Sequence, residues 1–222
     1  MVEPVNELRP ENLEVATQRH QRGGIEVFVV SLPIGELGRC LPIPDPSHKF
    51  PDNRTVDRAH AESFADYWMS NTCGATPPLL PDTVSMLADA FSAVGHVGEV
   101  ELGLLQMPSD VNGVLAILDG QYRTLGWDIA GNRIASALRS SEKTLERAHL
   151  LGDSRAMKYA ESRLHGYRGL AKRLATEHIT AETYLGVPGD ESRQFYTDIA
   201  TNAEGITKST TTAFDLSTPS EF

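Results

Sequence analysis

The chain has few of the residues and motifs that mark the easily recognised classes of protein. Its 222 residues include two cysteines, Cys40 and Cys73, which are too few for a disulfide framework. No segment approaches the roughly 18 consecutive apolar residues that a membrane span needs, and residues 1–22 lack the apolar stretch of a signal peptide. We therefore expect a cytoplasmic protein of one domain, or of one domain with an appendage.

The common catalytic and metal-binding motifs are also missing. The sequence contains no Gly-rich Walker loop, no nucleophile elbow and no Cys-x-x-Cys pair. Its seven histidines have no metal-ligand spacing, so we expect no metal site among them. Neither cysteine is predicted to act as a nucleophile.

Charge is distributed unevenly along this acidic chain. The net charge is −10, yet residues 131–178 hold ten Lys or Arg against five Asp or Glu, which makes that segment +5 and the remainder −15. Such asymmetry indicates a basic face on an acidic body. Two interpretations remain open: a face for DNA phosphates or an acidic partner, or a solvated helical surface with ion pairs such as Glu142–Arg139 and Glu146–Lys143.

Hydrophobic periodicity predicts a chain of mixed strands and helices. The strands are expected at 25–32, 99–107, 113–118 and 178–185, with the second and third pairing across a turn at 108–113. The helices are expected at 56–70, 84–94, 124–130 and 191–202, with an antiparallel pair between 131 and 177 that turns at Gly152. Thr55 is expected to cap the first helix, and Trp68 and Trp127 to lie in the core.

The densest group of chemically capable residues is Asp119-Gly120-Gln121-Tyr122-Arg123. It follows an apolar run and opens a helical stretch, and a helix start leaves backbone N–H groups unpaired that favour negative charge. Arg123 can add a bidentate fork for phosphate oxygens. Gln121 can hydrogen-bond a base or a phosphate, and Tyr122 offers a stacking face. We interpret the segment as a candidate nucleotide or anion pocket.

Asp119 has alternative roles at this corner. It can position Arg123, or it can hold a Mg²⁺ ion through water, which would make it a tentative catalytic residue. It can also cap the helix that follows, with Arg123 as its internal salt-bridge partner. The sequence leaves these alternatives open.

Several segments carry a resemblance to a known family. The segment 117–126, Ile-Leu-Asp-Gly-Gln-Tyr-Arg-Thr-Leu-Gly, resembles the signature of the DGQHR family, which includes DndB-like proteins associated with DNA phosphorothioation. The block 195–202, followed by Lys208-Ser209 and Phe214-Asp215, is similar to a later helical block of that family. The segment 51–57 is similar to the entry of ParB-like domains, to which the family is distantly related.

Two positions depart from the family pattern. Tyr122 stands where the family name has histidine, and Ala200 stands where asparagine is usual. If the histidine or the asparagine carries chemistry in relatives, we expect this chain to bind its ligand without reacting.

The resemblance implies an α/β (α+β) fold with a small mixed sheet of the ParB/sulfiredoxin-like type. The basic segment has no counterpart in the family pattern, so we interpret it as an inserted helical hairpin. The expected organisation is a polar N-terminal extension at 1–24, a core at 25–130, the hairpin at 131–178, the second part of the core at 179–216, and a tail at 217–222.

Further residues are expected to contact nucleotide, phosphate or DNA. Around the corner, the resemblance and the polar character of the segments indicate Asn53, Arg54, Thr201, Asn202, Lys208 and Ser209. Two alternatives remain open: Arg54 can be a surface loop residue, and Asn202 with Gly205 can end the preceding helix ahead of a solvated loop. On the hairpin, the residues expected to contact DNA are Arg163, Arg168, Lys172 and Arg173.

The resemblance implies a regulatory, DNA-associated protein of a DNA-modification or phage-defence system, with no membrane partner. Its expected partners are DNA and DNA-modification or defence proteins, with an oligomer left open. Its expected cofactor, if any, is a nucleoside triphosphate with Mg²⁺. Two alternatives remain: a metal-dependent NTPase or nuclease that uses Asp119, and a non-catalytic interaction module in which the basic hairpin docks an acidic partner.

Overall fold

The structure is a computed structural model that describes residues 12–47, 55–70, 80–83, 90–108, 115–185 and 194. The chain forms two compact units, Met1–Val187 and Pro188–Phe222. Apart from Gln194, which is helical, the described residues belong to the first unit, and the fold below is that of this unit. The helix predicted at 191–202 and the tail at 217–222 otherwise lie outside the described residues.

A seven-stranded mixed sheet forms the centre of the first unit. The strands are β1 Asn12–Arg22, β2 Ile25–Pro33, β3 Leu80–Thr83, β4 Phe91–Val97, β5 Val100–Pro108, β6 Leu115–Asp119 and β7 His178–Leu185. Their order across the sheet is β4-β5-β1-β2-β7-β3-β6. Neighbours are antiparallel except β3 and β7, which are parallel. The predicted α+β class with a mixed sheet is confirmed.

Four α-helices accompany the sheet in the described part of the chain. They are α1 Leu37–Cys40, which follows a 3₁₀ turn at Ile34–Glu36, α2 Arg58–Ser70, α3 Gln121–Leu151 and α4 Ser154–Thr176. None of the described helices is long and apolar enough to cross a membrane. Asp57, rather than the predicted Thr55, caps α2, because its Oδ1 accepts the N–H of Ala59 at 2.9 Å.

The helical hairpin predicted to turn at Gly152 is present as α3 and α4. Gly152 has a φ of 66°, in the left-handed region that glycine favours, and the Asp153 side chain accepts the N–H groups of Arg155 and Ala156. The first helix begins at Gln121, so the helix predicted at 124–130 and the first helix of the hairpin are one continuous helix.

Three expectations about the sheet are wrong. The N-terminal extension predicted at 1–24 contains β1, which lies between β5 and β2. Its sequence is polar, but Val15 and Thr17 are buried while Glu14, Ala16 and Gln18 are exposed. This alternation is the pattern of a strand with one face in solvent. The polar composition of the segment made the strand difficult to predict from the sequence.

The predicted pairing of β5 with β6 is the second error, because β5 pairs with β1 and β4 while β6 pairs with β3 at the opposite edge. The third error is the helix predicted at 84–94, since residues 91–97 form β4. The error arises because a short apolar run does not distinguish a helix from a strand. A tight turn at Gly98, which has a φ of 60°, connects β4 to β5. Residues 84–89 lie outside the described part.

The core lies between one face of the sheet and the helices. It is built from inward-facing strand residues, the first turns after β2, and the packed faces of α2 and α3, including Phe28, Leu32, Leu105, Met107, Trp68, Trp127 and Ile134. The prediction that Trp68 and Trp127 are core residues is confirmed, with exposures of 5% and 2%.

Helices α2 and α3 approach each other closely at Gly126. A Cβ atom at this position would lie 2.6 Å from Cδ1 of Phe64 and 2.9 Å from the carbonyl oxygen of Ala61. The Phe64 ring in turn packs edge-on against Trp127, with ring centroids 5.1 Å apart. A side chain at Gly126 would therefore push the two helices apart.

We predict that Gly126→Ala lowers the free energy of unfolding by about 1–3 kcal/mol, the usual cost of adding a methyl group to a packed site. Gly131→Ala on the same helix is the matched control, since nothing lies within 4 Å of a Cβ there. That control should stabilise the protein by about 0.5–1 kcal/mol through helix propensity. Urea unfolding of both variants measures the difference, and equal effects would contradict the close approach.

Candidate functional site

The corner at Asp119–Arg123 joins the last residue of β6 to the first turn of α3. Gly120 is buried and has a φ of 96°, a conformation that residues with a side chain rarely adopt. Its carbonyl oxygen accepts the N–H of Arg123 at 3.0 Å and the N–H of Thr124 at 2.9 Å. The backbone of the turn therefore accounts for the glycine of this segment.

Arg123 points into the protein rather than toward solvent. Its side chain is 2% exposed, and Nη2 donates to Oδ2 of Asp119 at 2.9 Å, while the Asp119 side chain is 46% exposed. The internal salt bridge considered as an alternative for this pair is thus present. The prediction that Arg123 holds phosphate stays untested.

Gln121 and Tyr122 are half-buried at the start of α3. Nε2 of Gln121 donates to the carbonyl oxygen of Ile117 at 3.4 Å. The Tyr122 ring packs edge-on against His60 of α2, with centroids 4.2 Å apart, and it lies against the small cluster formed by Val56, Ala61 and Leu125. The residue that replaces the family's histidine therefore contributes to the contact between α2 and α3.

The described residues of this corner are a poor match for the ligands that a magnesium ion needs. Mg²⁺ in proteins is held by one or two carboxylates together with water and substrate phosphates. The corner supplies Asp119, whose carboxylate is already paired with Arg123. Within the described ranges, no group of three or more His, Cys, Asp or Glu residues is placed to hold a metal. We therefore derive no chemical step through a metal here.

Other residues predicted near the corner lie outside the described residues. They are Asn53, Arg54, Thr201, Asn202, Lys208 and Ser209. Their predicted contacts with nucleotide or phosphate stay predictions.

A cleft of about 430 Å³ lies elsewhere, at the β4–β5 end of the sheet. Its lining includes Arg19, Glu26 and Glu101. Arg19 is ion-paired with both glutamates, at 3.5 Å in the case of Glu26. The positive charge of the cleft is therefore neutralised, and the cleft does not suit a phosphate.

Cys40 lies fully buried in the core. Burial raises the pKa of its thiol to about 11. The thiolate, which is the reactive form, is therefore scarce at neutral pH. Cys73 lies outside the described residues.

Arg173, one of the four predicted DNA-contact residues, is a structural cross-link between α4 and α2. Its guanidinium donates to Glu177 at 2.6 Å and to the carbonyl oxygen of Trp68 at 3.2 Å. It also lies over the Trp68 ring, 4.6 Å from the centroid. Predicting Arg173 as a DNA contact is therefore not supported by its position.

Eight other cations of the hairpin remain exposed to solvent. None of them takes part in an ion pair within the part of the chain that the structure describes. They are Arg139, Lys143, Arg147, Arg155, Lys158, Arg163, Arg168 and Lys172. The ion pairs Glu142–Arg139 and Glu146–Lys143, expected under the solvated-surface interpretation, are not formed. The positive charge of this segment is therefore available to a ligand.

The exposed cations do not share a single face. Arg168 and Lys172 are four residues apart on α4 and lie on one side, whereas Arg163 precedes Arg168 by five residues and is rotated about 140° from it. The four residues predicted from the sequence to contact DNA therefore do not lie on one face of α4.

A more uniform row lies on α3, where Arg139, Lys143 and Arg147 follow each other at intervals of four residues. Residues at this interval lie on one helix face. The prediction of DNA contacts from the sequence does not include this row, although its four-residue spacing is visible there.

Comparison with known proteins gives one match. The family model described as DndB, DNA-sulfur modification-associated, matches residues 15–221. No curated protein and no solved structure matches the chain. The assignment of the sheet to the ParB/sulfiredoxin-like type therefore stays a prediction.

We predict that Asp119 and Arg123 are energetically coupled. In a double-mutant cycle with Asp119→Ala and Arg123→Met, we expect a coupling of about 1–2 kcal/mol in urea unfolding, because removal of Asp119 takes a hydrogen-bond acceptor from a buried guanidinium. The exposed pair Arg133–Asp66, at 2.8 Å, is the control and should give less than about 1 kcal/mol.

A different result for the Arg123 variant would support a phosphate pocket at the corner. If Arg123→Met leaves stability unchanged but abolishes binding of nucleotide, measured by calorimetric titration, the corner is a phosphate pocket and the structural interpretation is wrong.

Proposed function

Since the chain belongs to the DndB family of DNA-sulfur-modification-associated proteins, we propose that it acts in such a system as a regulatory component that contacts DNA directly. The observation that carries this proposal is the set of eight exposed hairpin cations without ion-pair partners among the described residues. The contact surface is the hairpin of α3 and α4, and the corner at Asp119–Arg123 fixes the base of α3.

Electrostatics favour the hairpin over the body as the contact surface. The chain outside residues 131–178 carries a net −15, so it repels DNA. Attraction must come from local cations, whose reach at physiological salt is about 8 Å, one Debye length. Cations already held by carboxylates contribute little to such attraction, and this distinguishes the exposed row on α3 from Arg133 and Arg173.

The geometry of the α3 row suits an extended charged ligand. Arg139, Lys143 and Arg147 span about 12 Å of the helix at 1.5 Å per residue. Each strand of duplex DNA carries one phosphate per about 3.4 Å of helix axis, so the row is long enough to face several phosphates. Contacts to phosphates position a protein on DNA without reading its sequence. We therefore expect this surface alone to bind DNA of any sequence with similar affinity.

Binding of a nucleoside triphosphate with Mg²⁺ at the corner, and hydrolysis by an NTPase or nuclease that uses Asp119, have no separate support in the described geometry. A module that docks an acidic protein partner would use the same cations, and it is the outcome to expect if DNA does not bind.

We predict that the triple variant Arg139→Gln, Lys143→Gln, Arg147→Gln weakens DNA binding at every sequence and flattens its salt dependence. Each phosphate contact contributes about 0.9 to the slope of log affinity against log salt, so the slope should fall by about two to three units. Fluorescence anisotropy with labelled duplexes over a range of salt concentrations measures it.

Two further variants serve as controls for this experiment. Arg58→Gln removes an exposed arginine of α2 that pairs with Glu62, and it should change the slope far less than Lys143→Gln alone. Arg168→Gln with Lys172→Gln tests whether the row on α4 contributes. Absence of DNA binding by the native protein at low salt would contradict the proposed function and favour an acidic protein partner.

A further inference from the structure

Three residues of α4 form a row in which an arginine lies between two tyrosines. Tyr159 and Arg163 are exposed, whereas Tyr167 is half-buried and packs against the core. Tyr159, Arg163 and Tyr167 follow at intervals of four residues, so they lie along one face of the helix. The Arg163 guanidinium lies 5.8 Å from the centroid of the Tyr159 ring and 5.5 Å from that of the Tyr167 ring. Tyr159 is 60% exposed, so burial in the core does not account for its ring.

The end of the row at Tyr159 lies on the side of the hairpin that faces α2. Near the base of the hairpin, Arg133 of α3 bonds to Asp66 of α2, and Arg173 of α4 bonds to the Trp68 carbonyl of α2. Positions two heptads along a helix keep nearly the same direction, with a drift of about 40°. Arg147 and Tyr159 are two heptads from Arg133 and Arg173 toward the tip. They therefore lie on this same side, beyond the contacts with α2.

Negative charge of α4 is directed away from this row. Glu161 is the one acidic residue between Ser154 and Thr176. It is two residues from both Tyr159 and Arg163, which places it about 200° around the helix from each of them. An anionic ligand on the tyrosine–arginine row therefore meets Arg147 and Arg163 without facing this carboxylate.

We propose that Tyr159, Arg163 and Tyr167 form a stacking site for unpaired bases of single-stranded DNA. Aromatic rings and guanidinium planes both stack on bases, and a row of this kind binds without strong sequence preference because every base has a flat face. This inference rests on the proposed function for its ligand, DNA, and deepens it by naming unpaired bases as a second element of recognition.

The guanidinium of Arg163 is already placed over both tyrosine rings. Hydrogen bonds that it donates to the hydroxyls of Tyr167 and Tyr159 raise the pKa of Arg163. A side chain already held in its binding geometry loses less conformational entropy on binding. Arg163, one of the predicted DNA contacts, thus has a role distinct from the cations of Arg168 and Lys172.

The test compares single-stranded oligothymidylate, an abasic oligonucleotide of the same length, and a duplex, each bound to the full chain in fluorescence anisotropy. The abasic strand keeps the phosphates and lacks the bases. Tyr159→Ala should weaken binding of oligothymidylate by about 5- to 100-fold, the loss expected for one base stack, and should leave binding of the abasic strand unchanged. Tyr159→Phe, which keeps the ring, should retain most of the affinity.

The control variant is Tyr67→Ala, which removes a tyrosine of α2 that is 51% exposed and should change neither affinity. Unchanged binding of oligothymidylate by Tyr159→Ala overturns the stacking site alone, since duplex binding and its salt slope would persist. Equal losses on the abasic and base-bearing strands also overturn it, because the effect would then be electrostatic. Failure of the native protein to bind any of the three ligands overturns the proposed function itself.

Discussion

The close approach of α2 and α3 at Gly126 is the constraint on which the rest of the architecture depends. Because Gly126 has no side chain, Phe64 and the backbone of Ala61 lie directly against α3, and the Phe64 and Trp127 rings fill the space beside it. This contact anchors the first part of a 31-residue helix in the core. The second part continues beyond α2 and pairs with α4, and that continuation places the cations of the hairpin in solvent.

The Asp119–Arg123 segment has a coherent explanation in the folding of the chain. Gly120 supplies a positive φ where β6 turns into α3, and Arg123 is buried against Asp119. Tyr122 joins α3 to His60 of α2. A segment with so many polar and aromatic side chains suggests a binding pocket. Each of these side chains, however, also has a packing or hydrogen-bonding partner within the protein. We infer that the segment sets the direction of α3, and that the ligand surface lies further along the same helix.

Local patterns predicted much of the secondary structure, and non-local pairings account for the errors. The apolar run of β2, the periodicity of α3 and α4 and the glycine at 152 are local signals, and they located these elements correctly. The partners of β5 and β6 are set by distant strands, which periodicity does not encode. The contact between Arg173 and Trp68 joins residues 105 apart in the chain, so no local pattern indicates it. The four-residue spacing of the α3 cations is visible in the sequence, but the absence of the pairs Glu142–Arg139 and Glu146–Lys143 is not.

The proposed function requires DNA to contact the hairpin of α3 and α4 rather than the corner at Asp119–Arg123. Its most direct test is photo-cross-linking of the full chain to DNA that carries photoreactive groups on its phosphates, followed by peptide mapping of the adducts. We expect adducts within residues 139–172, concentrated at the cationic row of α3 and on α4. Adducts confined to peptides that contain Asp119–Arg123 would contradict it and would restore the corner as the phosphate site.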